Sequence, residues 1–362
     1  MDSAKAAVFE TANQPMSIQS FPLPNLGPGE TLVRITCCTV CGSDLHTFTG
    51  RRSTPVPTIL GHEIIGKVVA LGPGEPVLAS DGKPLREGDR VTWTIAASCG
   101  RCFYCQHGIP QKCTSLFKYG HERITDEHPF SGGLAEYCHL APGTGIVRLP
   151  DTLSDAVACP ANCATSTVAA AFRLAGGCTG DTVLIQGAGM LGLTAAAYAR
   201  AHAAADVIIT DIDRDRLERA ADFGADACLL AGEDADAIRG RTEGRGVDLA
   251  VELSGAPEAM LAGIERLRIG GRYIWVGAVF PSPPIPVSPE KVVRNLLRIQ
   301  GLHNYTPVDL ADAVAFLAEN QSRFPFDSLV GETFPLDDVN AAFTRALASR
   351  ASRVAVRPTG VA

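Results

Sequence analysis

The stretch TVLIQGAGMLGLTAAAYARAH at 182–202 decides the fold. An apolar β-type run, TVLIQ, enters Gly187-Ala188-Gly189-Met190-Leu191-Gly192 and continues into a small-residue helical segment. In that context Gly187 makes the tight turn, and Gly189 lets backbone approach a pyrophosphate. Gly192 lets helix and strand pack closely, while the helix N-terminus attracts phosphate. The spacing alone is weak evidence. It gains weight from DVIIT at 206–210, which delivers a carboxylate, Asp211, at the end of the next β-type run. Such an acid accepts hydrogen bonds from ribose hydroxyls and repels a 2′-phosphate, so the cofactor expected here is NAD rather than NADP. Asp211 could instead cap the helix starting near Arg214, but Asp213 is better placed for that. Arg216 either reaches the ribose or is a solvated helix residue.

Outward from this turn, RDRLERAADFG (214–224), VDLAVELSG (247–255) and GRYIWVGA (271–278) continue the alternation of helical and apolar β segments. An α/β domain with a doubly wound parallel sheet is expected. Upstream the character differs. TLVRITCCTV, GHEIIGKVVALG and GDRVTWTIA are β-type runs separated by LGPGE, LGPGEP and SDGKP, an irregular all-β region. Downstream, VDLADAVAFLAEN (308–320) reads as a helix and ASRVAVRP (351–358) as a short strand. They are too short to stand alone and should fold back onto the first region. The expected division is 1–164, 165–304 and a return segment 305–362. The loop PVLASDGKPLREGD at 76–89 reads as a surface excursion.

With 362 residues, the chain has room for two cores. A net charge of −7 gives no electrostatic reason to expect nucleic acid or an anionic membrane as partner. No apolar run approaches the ~20 residues of a membrane span. MDSAKAAVFE lacks the features of a secretory signal, so a cytoplasmic protein with reduced thiols is expected.

Four of the twelve cysteines, Cys99, Cys102, Cys105 and Cys113, follow C-x2-C-x2-C-x7-C. Four thiolates close a tetrahedral shell around Zn2+ and leave no position for substrate. Gly100 and Gly108 allow the chain to turn around the ion. A ferredoxin-type cluster would have Pro after its fourth cysteine, where Thr114 stands. Three further ligand types lie far apart: Cys41 in CGSDLH, His62 in GHE and Cys163 in ANCATST. A thiolate–imidazole–thiolate set leaves a fourth position open, as catalytic zinc requires. Taken singly, Cys41 continues an apolar strand containing Cys37 and Cys38, and a lone histidine is more often structural.

Cys-Gly-Ser-Asp-x-His, Gly-His-Glu, the cysteine tetrad, a Cys ahead of Ser-Thr and the glycine turn, in this order, resemble the zinc-containing medium-chain alcohol and polyol dehydrogenases. The resemblance implies a GroES-like catalytic domain interrupted by a Rossmann coenzyme domain, with two zinc ions per chain. It implies Cys41, His62 and Cys163 as catalytic zinc ligands, with Cys159 a poorer fit than Cys163. Glu63 would lie beside the metal, at a position that in some relatives can coordinate it transiently, and Asp44 would orient the ligand histidine. Ser43 matches the hydroxyl that takes the alcohol proton, and His46 the group that passes it on. Thr167 matches a residue near the nicotinamide, or simply starts a helix. The resemblance also implies a homodimer or homotetramer assembled through GRYIWVGAVF and the Pro-rich segment after it. Around TFTGRR at 47–52 and ANCATSTVAAAFRLAG at 161–176, the chain resembles a subgroup associated with phosphonate metabolism. There Arg52 would face an anionic alcohol or aldehyde such as a hydroxyalkylphosphonate and its aldehyde; otherwise Arg51 and Arg52 are a surface pair. Lys118, His121 and Arg123 are further cationic candidates.

Overall fold

The computed structural model describes residues 3–348 and 353–358. The chain forms two compact units. The first runs to Cys163 and takes up Thr306–Gln321 and the chain from Phe326 onward; the second comprises Ala164–Tyr305 with Ser322–Pro325.

In the second unit, six parallel strands lie in the order Ala227–Leu230, Asp206–Asp211, Thr182–Gln186, Val247–Glu252, Leu267–Trp275 and Arg298–Gly301. Sequence order is therefore 3-2-1-4-5-6, the doubly wound arrangement whose ligand crevice opens where strand order reverses. Ile185 lies in register with Ile209 on one side and Val251 on the other. All three are fully buried, which is why these strands read as continuous apolar runs. The helix Met190–Ala201 follows the glycine turn and buries a nearly unbroken small-residue face. Two details depart from expectation. RDRLERAADFG forms only the short helix Arg214–Leu217 and a 3-10 turn at Ala221–Phe223. The sixth strand, Arg298–Gly301, carries no alternation because it is an edge strand with mostly exposed residues.

The first unit is built on an extended sheet. Its order is Val330–Pro335, Arg353–Arg357, Thr31–Thr39, Glu63–Leu71, Arg90–Ala97 and Phe117–Lys118. Tyr137–Leu140 pairs with Thr31–Thr39, and Thr144–Arg148 with Arg90–Ala97. A three-stranded sheet, Ser17–Pro22, Ser3–Phe9 and Thr58–Ile59, completes its β structure. The return of the chain is structural: Arg353–Arg357 pairs antiparallel with Thr31–Thr39, placing Val356 opposite Cys38. Val354, Val356, Val339 and Phe343 thereby join Val33, Ile35, Trp93 and Phe130 in one core. Residues 351 and 352 of the expected final strand lie outside the described residues.

The 76–89 segment is more than a surface excursion. Leu78 and Pro84 form a β-bridge, Ala79 and Leu85 enter the core, and Arg148 binds Asp81 at 2.8 Å and Asp89 at 3.0 Å. No helix among the described residues is long and apolar enough to cross a membrane.

Candidate metal centres and dinucleotide turn

Cys41 is not part of the strand that contains Cys37 and Cys38. That strand ends at Thr39, and Cys41 is the N-cap of a short helix, Gly42–Phe48. Asp44 at the third helical position closes the cap: its Oδ2 accepts from the Cys41 N–H at 2.9 Å. Its Oδ1 accepts from the Gly61 N–H at 3.1 Å and lies 3.1 Å from His62 Nδ1. One carboxylate thus fixes a thiol and an imidazole that are 21 residues apart in sequence, and leaves His62 Nε2 facing away from it. Ser43 Oγ lies 3.2 Å from that Nε2.

The structure brings Cys41, His62 and Cys163 together, with their donor atoms all within 4.8 Å of one another. The donors suit a cation. Burial opposes charge on His62, yet Asp44 and Cys41 outweigh it and raise its pKa to about 10, so this spot favours positive charge and a metal ion would take the place of the ring's proton. Cys41 and Cys163 share a hydrogen bond that drives the Cys41 thiol well below its ordinary pKa and Cys163 well above. A thiolate, a second thiol that a metal ion would deprotonate and an oriented imidazole are a donor set for zinc, with room for a fourth ligand.

Cys159 stays outside this group; its thiol donates to the carbonyls of Glu63 at 3.2 Å and Cys37 at 3.4 Å. Glu63 is also outside it. Arg353 Nε and Nη2 donate to its two carboxylate oxygens at 2.6 and 2.7 Å, and Thr39 Oγ1 donates at 2.6 Å. Both oxygens are therefore committed to Arg353 and Thr39. Arg353 also approaches Cys41 Sγ at 3.4 Å through Nη2. Sequence reading missed Arg353, because its partners lie roughly three hundred residues earlier and no local motif marks it.

His46 lies one turn beyond Ser43 on the same helix, half-buried, and burial together with Arg51 lowers its pKa. Arg52 is half-buried, and burial lowers its pKa against the pull of Asp44, Cys41 and Cys163. Lys118 lies in the same field: burial and then Arg52 lower its pKa to about 8. His121 does not serve as a cation. Burial and then His62, whose ring centroid is 5.4 Å away, push its pKa well below the ordinary value, and its Nδ1 lies 2.9 Å from the Tyr119 carbonyl. Arg123 is exposed on the loop.

The tetrad is likewise assembled, with the sulfurs of Cys99, Cys102, Cys105 and Cys113 all within 4.8 Å of one another. Gly100 and Gly108 adopt left-handed φ of +69° and +76°, which lets the chain wrap back on itself. Backbone N–H groups of Cys99 and Ser115 donate to Cys113 Sγ at 3.2 and 3.3 Å. Backbone hydrogen bonds also lower the Cys102 pKa to about 5, while burial and neighbouring sulfurs raise that of Cys105 to about 11. Four thiolates this close repel one another unless a cation lies between them, and sulfur-only donors fit a closed zinc site. None of the twelve cysteines is in a disulfide.

In the second unit, Gly187 turns at φ +102°. A Cβ on Gly192 would lie 1.7 Å from the Gly187 carbonyl oxygen, whereas one on Gly189 would meet nothing within 4 Å. Gly192 is thus required for helix–strand packing, and the space at Gly189 stays open to a ligand, with Met190 buried at the start of the helix and Leu191 partly exposed. Asp211 ends its strand nearly buried; Oδ2 accepts from Ala188 N–H at 2.7 Å and Oδ1 from Asp213 N–H at 2.9 Å. Asp213, not Asp211, caps the helix Arg214–Leu217. Arg216 is half-exposed and 3.9 Å from Asp213. Thr167 lies within the helix Ala164–Ala175, partly exposed.

Residues 27–151 match the alcohol dehydrogenase GroES-like domain, and residues 191–319 match the zinc-binding dehydrogenase family. The L-threonine 3-dehydrogenase of Streptomyces avermitilis is 32% identical over 97% of this chain and 98% of its own. An alcohol dehydrogenase of Thermotoga maritima superposes with a TM-score of 0.92 at 32% identity, covering 98% of this chain and 99% of that one. An alcohol dehydrogenase of Escherichia coli CFT073, solved with NADH, gives a TM-score of 0.84 at 25% identity over 99% of this chain and all of its own (100%). The chain belongs to the zinc-binding, medium-chain alcohol dehydrogenase family and is an oxidoreductase of that class.

Proposed function

We infer that the protein is an NAD-dependent dehydrogenase of a small alcohol that carries an anionic group. The observation that carries this reading is the pair of half-buried cations, Arg52 and Lys118, sharing the electrostatic field of Cys163 in the metal donor set. A guanidinium pairs bidentately with carboxylate or phosphonate oxygens, and partial burial strengthens that pairing. L-threonine, the substrate named for the Streptomyces relative, carries such a carboxylate. The relatives named above lend no support to a hydroxyalkylphosphonate in particular, so the class proposed is the anionic alcohol, with phosphonate one member to be tried. A neutral polyol or secondary alcohol is the competing substrate class.

Zinc held by Cys41, His62 and Cys163 supplies Lewis acidity toward an alcohol oxygen, and a nicotinamide dinucleotide supplies the hydride acceptor. The chain's own residues do the rest. Asp44 holds the His62 ring with its Nε2 3.2 Å from Ser43 Oγ, which keeps the hydroxyl beside the donor set. The Ser43 hydroxyl both accepts and donates, which suits it to take the proton of a substrate hydroxyl. His46, kept neutral near pH 7 by burial and Arg51, is a base able to pass that proton to solvent. Arg353 holds Glu63 away and stabilises negative charge on Cys41. A second zinc in the cysteine tetrad braces the loop at 99–113.

On the second unit, the carboxylate of Asp211 beside the glycine turn supports NAD over NADP. Arg216 and Thr167 are assigned to the ribose and the nicotinamide by position. The edge strand Arg298–Gly301 with exposed Val279, Val293 and Leu296 supports self-association through this unit. The test is a panel of L-threonine, hydroxymethyl- and hydroxyethylphosphonate, neutral primary and secondary alcohols and polyols, each with NAD and NADP. Highest kcat/KM for an anionic alcohol with NAD is expected; preference for a neutral polyol would overturn the anionic class.

A further inference from the structure

Glu30, His128 and His139 converge in the first unit with their donor atoms within 4.8 Å of one another, and none belongs to the cysteine-containing centres. Their convergence is built by backbone. Thr31 pairs with Leu140, which sets Glu30 beside the strand carrying His139. The His139 N–H donates to the Phe130 carbonyl at 2.9 Å, which draws the segment containing His128 along the same strand. His128 also packs against Phe117 and His139, with ring centroids 5.0 and 4.8 Å away.

The polar atoms of this cluster are not satisfied by one another. His139 is 1% exposed, and although Glu30 and the Glu127 backbone lie close to its ring, neither nitrogen makes a well-aligned hydrogen bond; His128 Nδ1 is also buried without one. Burying an imidazole unpaired costs free energy, so the arrangement calls for a partner. Glu30 Oε2 is only 3.0 Å from His139 Nε2 but makes no aligned hydrogen bond with it. Donors on a common tetrahedral cation with bonds of about 2.0–2.1 Å stand about 3.3 Å apart and point at the ion rather than at each other. Burial holds the His139 pKa below its ordinary value, against the pull of Glu30, which keeps the ring unprotonated and able to ligate. The carboxylate itself is anchored, Oε2 accepting from the Gly27 N–H at 2.7 Å.

We propose that Glu30, His128 and His139 form a third metal site, for a borderline divalent cation of the zinc type, with water completing its shell. Two imidazoles and one carboxylate are a donor set for zinc and its first-row neighbours, not for calcium or magnesium. The ion would clamp the loop carrying His121 and His128 to the strand Tyr137–Leu140. With no thiolate and three protein ligands, it would bind more weakly and exchange faster than either cysteine-containing centre.

The test uses the purified zinc enzyme titrated with micromolar Co2+. The wild type is expected to take up one additional equivalent giving visible d–d bands without thiolate-to-cobalt charge transfer. Loss of a supporting residue around a metal typically weakens binding 10–100-fold, so His128→Ala and Glu30→Gln should weaken this equivalent at least about tenfold. Dehydrogenase turnover of His128→Ala should match wild type, showing that the chain is folded. No additional equivalent in the wild type, equal affinity in wild type and variants, or bands with thiolate charge transfer would each overturn the proposal.

Discussion

Arg353 and Glu63 form a doubly hydrogen-bonded ion pair, 2.6 and 2.7 Å, with side chains 6% and 0% exposed. The pair joins the last described strand to the strand that starts beside His62, so the C-terminal return and the metal donor set are mechanically one object. Removing one partner strands the other charge in the interior, which typically costs about 3–5 kcal/mol, whereas replacing both by apolar groups is often neutral. Arg353→Met should therefore lower stability in urea unfolding by that order, and Glu63→Met/Arg353→Met should recover most of it. Equal loss in the single and double variants would show that packing, not the pair, is at stake.

Asp44 bears on metal retention rather than on stability alone. It orients His62 and binds the Cys41 and Gly61 N–H groups. Asp44→Asn keeps the shape but withdraws the charge that favours a cation. Zinc should leave the catalytic centre about 10–100-fold more readily under a competing chelator. The zinc held by the tetrad should be unaffected, which metal analysis after partial chelation would show.

The tetrad gives the complementary result. Cys105→Ser removes one of four sulfurs that lie within 4.8 Å of one another. The purified variant should contain one zinc fewer per chain, with the loop at 99–113 becoming protease-sensitive, since structural zinc contributes directly to folding.

These two centres were unequally legible in the sequence. The tetrad occupies fifteen consecutive residues, so spacing alone carried it. The glycine turn was legible for the same reason: strand, turn and helix are contiguous. Cys41, His62 and Cys163 meet only because strands from distant parts of the chain pair in register, and they were joined by resemblance. Arg353 had neither kind of signal. Glu63 was placed beside the metal by the resemblance alone, and the arginine that binds its carboxylate comes from the other end of the chain. Ala79 and Leu85 were illegible as core residues, since isolated apolar side chains between turn signals look like surface. The sixth parallel strand was missed because Arg298–Gly301 has burial neither continuous nor alternating.

The anionic-substrate reading predicts a selective loss. A hydrogen-bonded charge pair contributes about 1.5–3 kcal/mol, so Arg52→Ala should lower kcat/KM for an anionic alcohol about 10–100-fold. For a neutral alcohol of the same size the change should be small. Equal losses for both substrates would reject the pairing.

Lys118 makes the same reading depend on pH. Its pKa is lowered to about 8, first by burial and then by Arg52. Because the ammonium is the charged form, it is present below that value and lost as pH rises through it. If it helps hold the anion, KM for an anionic alcohol should climb above about pH 8. KM for a neutral alcohol should stay flat over the same range. Lys118→Met should raise KM for the anionic substrate at pH 7 and abolish the climb, since no charge remains to be lost. The comparison between substrates separates this titration from that of His46, which would alter kcat for both. A climb that survives in Lys118→Met would place the titrating group elsewhere and leave Arg52 as the cation to account for selectivity.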